Sequence, residues 1–80
     1  MATHRLKAWP ASFSAIYEGD KRAEFRKDDR GFDVDDQLIL EEYDPATGNY
    51  SGRRMMRLVT HILRGPDFGV PEGYVVMSIR

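Results

Sequence analysis

The sequence has 80 residues, of which 41% are hydrophobic and 31% are charged, and it contains no cysteine. This length and composition are typical of one small folded domain, and they exclude both a second core and a disordered chain. The absence of cysteine excludes a disulfide framework, a thiolate nucleophile and a zinc–thiolate site.

Charge is nearly balanced overall but unevenly distributed. Twelve basic and thirteen acidic residues give a net charge of −1, which excludes binding of duplex nucleic acid by bulk charge alone. Residues 31–50 contain six acids and no Lys or Arg, so any nucleic-acid contact is expected to lie elsewhere. No apolar run approaches the roughly 18 residues of a membrane helix, so a cytoplasmic domain that contacts no membrane is expected.

The beginning of the chain predicts a strand followed by a short helix. Residues 3–7 place His4 and Leu6 on one face and two cations on the other, as in a strand. The spacing of apolar residues predicts a helix from about Pro10 to Glu18, with the proline well placed in its first turn. Gly19 follows where a left-handed residue would end that helix.

Residues 23–26 predict a second strand whose two faces differ. Ala23 and Phe25 are expected to point into the core. The opposite face then carries three ionisable side chains, those of Arg22, Glu24 and Arg26. A carboxylate between two guanidinium groups, with Lys21 leaning over the same surface, would present donors and an acceptor to a nucleobase or a phosphate. The alternative is a solvated edge strand whose charges prevent pairing with other sheets.

The rest of the chain predicts a loop and three further strands. Residues 27–36 are rich in Asp and Gly and should form a loop that covers Phe32 and Val34. Strands are expected at residues 37–43, 53–64 and 74–79, the first two joined by a turn at 44–49.

These elements predict an α+β fold. Five strands, with one short helix after the first strand, suggest a small mixed β-barrel, closed or nearly closed, whose helix plugs one end. The core is expected to depend on three aromatic side chains, those of Trp9, Phe13 and Phe25. Trp9 is alternatively a platform on which a base stacks.

The segment Gly19-x-Lys21-x-x-Glu24-x-Arg26 resembles the signature of ASCH domains, a branch of the PUA-like barrel superfamily. The wider sequence resembles a small phage and bacterial domain of unknown function related to ASCH. Four pieces carry that resemblance: His4-x-Leu6-Lys7-x-Trp9-Pro10, Glu24-Phe25-Arg26-Lys27-Asp28-Asp29-Arg30-x-Phe32, Leu38-Ile39-Leu40-x-Glu42-Tyr43 and Gly73-Tyr74-Val75-Val76. The likeness runs nearly end to end, from His4 to Ile79, and implies a single ASCH/PUA-like domain over residues 1–80.

The resemblance implies a PUA-like β-barrel with a cleft lined by Lys21, Glu24 and Arg26. It also implies a role in RNA binding or RNA metabolism. Some ASCH relatives are enzymes, among them an amidohydrolase that acts on acetylated cytidine and a ribonuclease. The candidate ligand-binding residues are those of the signature and its expected neighbours: His4, Lys7, Lys21, Arg22, Glu24, Arg26 and Tyr74.

Three positions depart from the pattern of that family. Arg22 stands where many relatives have Thr directly after the Lys. Glu24 stands where the amidohydrolase branch has a Thr nucleophile, so it cannot act by the same mechanism. Asp35 stands where Gly is expected in a turn, and Asp tolerates the left-handed conformation better than most residues.

Other kinds of site receive little support from residue spacing. His4 and His61 are the only histidines and lack a metal-binding spacing, so no metal or cofactor is expected. His4 is expected beside the cleft, donating either to a ligand or to a backbone carbonyl. No serine has the context of a hydrolase nucleophile. Arg53, Arg54 and Arg57, together with Arg64, are expected to form a basic patch that either follows a phosphate backbone or balances the acidic segment.

Three hypotheses about function follow. The first is a non-catalytic module that binds RNA or a nucleotide-like small molecule, by single-stranded or modified bases and not by duplex. The second is a small hydrolase of a modified nucleoside or RNA, with Lys21 as base and Glu24 as proton shuttle. The third is a phage accessory domain that binds a host protein through acidic residues 33–44. The identity of the ligand and the oligomeric state stay open.

Overall fold

Five strands and one α-helix make up the computed structural model, which describes residues 1–80. In chain order they are β1 (Thr3–Ala8), α1 (Pro10–Tyr17), β2 (Ala23–Lys27), β3 (Gln37–Asp44), β4 (Asn49–Arg64) and β5 (Tyr74–Ile79). A single turn of 3-10 helix, Asp67–Gly69, lies between the last two strands. All five predicted strands and the predicted helix are therefore present, and β4 begins earlier than expected because the hairpin turn is shorter.

The strands form one sheet in the order β1-β3-β4-β5-β2. β1 runs parallel to β3, and every other neighbouring pair is antiparallel. β4 holds the sheet together, since its 16 residues pair first with β3 and then with β5. The change of partner comes between Leu58, which pairs with Gln37 of β3, and Val59, which pairs with Ile79 of β5.

The expected closed barrel is not formed, because β1 and β2 are the two edges of the sheet and no ladder joins them. Two arginine side chains supply the physical reason. The guanidinium of Arg26 donates to the carbonyl of Lys7, and that of Arg30 donates to the carbonyl of Arg5 at 2.6 Å. These bonds satisfy β1 carbonyl groups that a neighbouring strand would otherwise use, and they protect the edge from pairing with another sheet.

Helix α1 forms and ends as the sequence predicts. Pro10 stands at its first turn, and Phe13 and Ile16 are its buried residues. Gly19 has a φ of 84°, the left-handed conformation that most other residues avoid. Beyond it, the backbone N–H of Lys21 donates to the carbonyl of Ala15 at 3.0 Å. This bond fixes the start of the signature segment against the end of the helix.

Eleven buried apolar residues form one core, in which Phe13 and Phe32 are the aromatic side chains. The prediction that Trp9 and Phe25 belong to the core is wrong, since they are 63% and 56% exposed. The register explains Phe25, which pairs with Val76 on the outer face of the sheet. Its neighbours in β2, Glu24 and Arg26, pair instead with the buried residues Met77 and Val75. The charged residues of β2 therefore occupy the inner face of the sheet.

Candidate functional site

A cleft opens where the two edge strands β1 and β2 face each other without pairing. It has a volume of about 560 Å³, within the usual range for small-molecule sites. Side chains from both faces of β2 line it, which is possible because that strand is at the edge of the sheet. Twelve residues form its wall: Lys7, Ala8, Trp9, Ser12, Lys21, Ala23, Glu24, Phe25, Arg26, Lys27, Tyr74 and Val76.

Glu24 is a buried carboxylate at the base of this cleft, only 4% exposed. Its Oε2 accepts a hydrogen bond of 2.8 Å from Nε of Arg26, whose terminal nitrogen crosses the cleft to the carbonyl of Lys7. The other oxygen, Oε1, accepts no hydrogen bond within the protein, although no side-chain N or O atom is buried without a partner. Oε1 is therefore an acceptor open to a ligand, held in place by a fixed guanidinium.

Lys21 reaches the same cleft from the segment that follows α1. Its Nζ donates to Oγ of Ser12 at 2.6 Å, so an amine and a hydroxyl stand together on the wall. No sequence signal points to Ser12 as a site residue. It lies in the first turn of α1, three residues after Trp9, and only the folding of Lys21 back along the helix brings the two side chains together.

An exposed aromatic surface borders the charged wall. The rings of Phe25 and Tyr74 are stacked, with centroids 5.4 Å apart and planes 17° from parallel. Trp9 stands on the same cleft from the other side, at the junction of β1 and α1. Of these three rings, the sequence predicts only that of Tyr74 as part of the site. Phe25 and Trp9 are predicted in the core, with a stacking surface as the less favoured alternative for Trp9. Large exposed rings next to cations are typical of surfaces that stack on nucleobases.

Two other predicted site residues lie away from the charged base of the cleft. Lys7 is on the wall, and its Nζ sits 4.4 Å from the ring centre of Tyr43. Arg22 is outside the cleft, where its Nε donates to the carbonyl of Gly19 at 3.3 Å. The structure thus brings together Lys7, Lys21, Glu24, Arg26 and Tyr74, and it separates Arg22 from them.

His4 is also outside the cleft, because its side chain belongs to a second polar group around Asp36. Nε2 of His4 donates to Asp36 at 2.9 Å, and the imidazole meets the ring of Phe32 edge to face at 4.7 Å. The same carboxylate accepts from the backbone N–H groups of Ala2 at 2.8 Å and Asp33 at 3.0 Å. We call these residues, Ala2, His4, Phe32, Asp33 and Asp36, the Asp36 cluster.

The surroundings of the Asp36 carboxylate alter its acidity. Burial by itself would raise its pKa, but the hydrogen bonds from His4, Ala2 and Asp33 outweigh burial and lower the pKa to about 2. Next to it, Asp35 adopts a φ of 75°, which confirms that Asp takes the left-handed conformation expected of Gly in this turn. The cluster ties the start of β1 to the turn before β3.

The arginines of β4 do not form one patch. Arg53 lies over the rings of Phe13 and Tyr17, 5.0 and 5.5 Å from their centres. Arg54, the next residue, lines a small hollow near the hairpin together with Arg53. Arg64 is held at the far end by Asp28 and Asp33 at 3.1 and 3.2 Å. Arg57 borders a separate hollow that also contains Lys21, Arg22 and Arg80.

The acidic segment is largely neutralised in the fold. Glu41 pairs with Arg5 at 3.1 Å, and Glu42 lies 3.8 Å from Arg53. Asp36 is buried in its cluster. Asp33 pairs with Arg64 at 3.2 Å, whereas Asp35 and Asp44 are outside any ion pair, and the host-protein hypothesis stays a prediction.

Two further features bear on the type of site. No group of three or more His, Cys, Asp or Glu side chains is placed to hold a metal ion. None of the helices has the length and apolar character needed to cross a membrane.

Comparison with known proteins connects the chain to a family. The sequence profile of the family described as "Domain of unknown function (DUF3850)" matches residues 3–79. The chain is 36% identical over 74 residues to "Uncharacterized 12.9 kDa protein in GpA 3'region" from Escherichia phage P2. This match covers 92% of the chain but 64% of the phage protein, so the chain spans less than two thirds of that relative. The predicted resemblance to a small phage domain of unknown function is thereby confirmed.

Proposed function

The chain belongs to the DUF3850 family of domains of unknown function, and we propose that it is an RNA- or nucleotide-binding module of the ASCH/PUA-like type. Its ligand is a single-stranded or modified base held in the cleft between β1 and β2. The observation that carries this proposal is the free Oε1 of Glu24, beside an exposed aromatic surface. Arg26 holds the carboxylate in place through its other oxygen, Oε2.

The chemistry of the cleft matches that of a nucleobase. A carboxylate oxygen accepts from the amino or imino N–H groups on the edge of a base, as Glu and Asp do with the amino group of cytosine. The faces of Phe25 and Trp9 offer stacking surfaces for the same ring. Lys21 and Lys7 supply positive charge for the attached phosphate. A base inside a duplex cannot enter such a cleft, which favours single strands.

Fluorescence anisotropy with short labelled RNAs at moderate salt tests the proposal. Glu24→Gln keeps the shape of the side chain but turns one acceptor oxygen into a donor, and we expect it to weaken binding by about tenfold or more. Phe25→Ala should weaken binding through loss of stacking, which contributes about 1–3 kcal/mol per base. Phe68→Ala is the matched control, because Phe68 is an exposed phenylalanine outside the cleft. Equal binding by all four proteins contradicts the proposal.

A second candidate function is favoured by one specific contact, that between Lys21 and Ser12. We propose as the alternative that the cleft hydrolyses an acylated nucleoside, with Ser12 in the place of the missing Thr nucleophile. Oγ of Ser12 would form a bond to the acyl carbon while its proton passes to Nζ of Lys21. The bond from that carbon to the nucleoside amine then breaks, and Lys21 returns the proton to the leaving nitrogen. Water hydrolyses the acyl–serine ester.

Incubation with acylated nucleosides, followed by mass spectrometry, separates this alternative from simple binding. Turnover by the wild type, abolished in Ser12→Ala and in Lys21→Met, supports hydrolysis. A covalent adduct of acyl mass on the peptide that contains Ser12 would identify the nucleophile. Ser14→Ala serves as control, because Ser14 is on the same helix and does not line the cleft. An unchanged substrate panel, together with binding that requires Glu24, excludes the alternative and leaves the first proposal intact.

A further inference from the structure

A second hollow lies on the other side of Lys21, beyond the end of α1. Its volume is about 490 Å³. Four basic side chains line it, those of Lys21, Arg22, Arg57 and Arg80. Ile16 and Tyr17 form its wall on the side of the helix, and Glu18 is the one acidic side chain beside it. Of these residues, only Lys21 also lines the cleft.

The basic residues of this hollow differ from most others in the protein. Five of the twelve Lys and Arg residues form ion pairs within 4.0 Å, namely Arg5, Arg26, Arg30, Arg53 and Arg64. Seven are left without a carboxylate partner, and four of those seven line this hollow. In a chain of net charge −1, such a concentration of unpaired positive charge marks a local site for an anion.

Tyr17 adds a feature that a simple anion site does not need. It is 63% exposed at the edge of the hollow, and the guanidinium of Arg53 covers its ring at 5.5 Å. An exposed ring beside several cations is the arrangement by which proteins follow a single strand, with phosphates on the basic residues and bases on the rings. The hollow therefore fits a nucleic-acid backbone better than an isolated phosphate.

On the basis of the proposed function, we infer that this second hollow binds the backbone phosphates of single-stranded RNA next to the nucleotide held in the cleft. Lys21 stands between the two sites and connects them. The true ligand is then an oligonucleotide and not a mononucleotide. Arg22, which the structure separates from the cleft, acts here on a neighbouring phosphate.

The test compares a nucleoside monophosphate with a pentaribonucleotide for the same set of proteins, by calorimetry or anisotropy over a range of salt. The wild type should bind the pentanucleotide with an affinity at least about tenfold higher than its affinity for the monophosphate. Arg57→Ala should bind the pentanucleotide about tenfold more weakly, and the slope of its salt dependence should fall by about 0.7, because one phosphate is no longer neutralised. Its affinity for the monophosphate should not change.

Two further variants make the test specific. Arg22→Ala should reproduce the effect of Arg57→Ala, and it keeps the test open if the latter folds poorly, because Arg22 is exposed. Arg54→Ala is the control, since Arg54 is an unpaired arginine on the same strand that lines neither site. It should bind both ligands as the wild type does.

The outcomes separate this inference from the proposed function. If the monophosphate binds through Glu24 but the pentanucleotide binds no more tightly, the inferred phosphate site is overturned and the proposed function of the cleft is kept. Equal losses of affinity in Arg57→Ala and Arg54→Ala also overturn it, because they would reflect net charge only. If the wild type binds neither ligand, the proposed function itself fails.

Discussion

Only two ionisable side chains are buried in this protein, and their surroundings differ in a useful way. Asp36 is 2% exposed and Glu24 is 4% exposed. Asp36 accepts three hydrogen bonds, two from backbone N–H groups and one from His4. Glu24 accepts one, from Arg26, and leaves its second oxygen facing a cleft. Burial alone therefore does not distinguish a structural carboxylate from a candidate for ligand binding.

What distinguishes them is unused hydrogen-bonding capacity. A buried carboxylate whose oxygens are satisfied by the protein contributes to stability and has nothing to offer a ligand. One that is fixed on a single oxygen combines a defined position with a free acceptor. The same contrast holds for the aromatic residues, since Phe32 packs in the Asp36 cluster whereas Phe25 borders the cleft.

The largest expected difference is between these two phenylalanines. Phe32→Ala should lower the free energy of unfolding by about 3–5 kcal/mol, because it removes a buried ring and leaves a cavity. Phe25→Ala should lower it by about 1 kcal/mol, the value of a stacked pair at the surface. Urea denaturation followed by tryptophan fluorescence measures both. Similar decreases would show that Phe25 supports the core and is not a surface for a ligand.

Substitution of the two buried carboxylates should also affect stability unequally, with the larger loss at Asp36. Asp36→Asn is expected to cost about 3 kcal/mol of stability, since two backbone donors and His4 lose a charged acceptor. Glu24→Gln should cost about 1 kcal/mol and act chiefly on binding. Glu72→Ala, an exposed acid outside any ion pair, is the control for net charge. A larger destabilisation in Glu24→Gln than in Asp36→Asn would contradict the assignment of Asp36 as the structural carboxylate and Glu24 as the ligand-binding one.

The pH dependence of stability sharpens the comparison further. The pKa of Asp36 is about 2 in the folded protein, against an ordinary value of 3.8. Its contribution to the free energy of unfolding is therefore fully present above pH 3.8. That contribution disappears as the pH falls through about 2. The difference in stability between wild type and Asp36→Asn should thus be widest above about pH 5 and should narrow toward pH 2. A difference that stays constant from about pH 6 to about pH 2.5 would contradict this account.

The smallest effect is expected at the edge of the sheet. Arg30→Ala removes the hydrogen bond to the β1 carbonyl of Arg5 and should cost about 0.5–1 kcal/mol without affecting ligand binding. Arg26→Ala removes the equivalent bond to Lys7 and also leaves the buried Glu24 carboxylate without its partner, so it should cost more stability than Arg30→Ala and weaken binding as well. Thermal unfolding and RNA anisotropy on both variants check the pair. Equal effects of Arg26→Ala and Arg30→Ala on RNA binding would show that Arg26 does not take part in the site.

Local sequence signals predicted most of the elements. α1 begins with a proline in its first turn and ends before a glycine in the left-handed conformation, and turn residues mark the ends of the strands. The signature residues Lys21, Glu24 and Arg26 are also evident from the sequence, and the structure brings them to one cleft. Such signals depend on neighbours in the chain, so they can be read without knowing the fold.

The orientation of β2 and the openness of the sheet were decided only by tertiary structure. Alternation in β2 predicts two faces but does not say which is inward, and the hydrophobic Phe25 suggested the wrong one. The antiparallel register with β5 placed Glu24 and Arg26 on the inner face instead. The contacts of His4 with Asp36 and of Lys21 with Ser12 join residues 32 and 9 positions apart. The sequence by itself determined the order and type of the elements, because these depend on local backbone preference, whereas pairing across the fold decided which side chains meet.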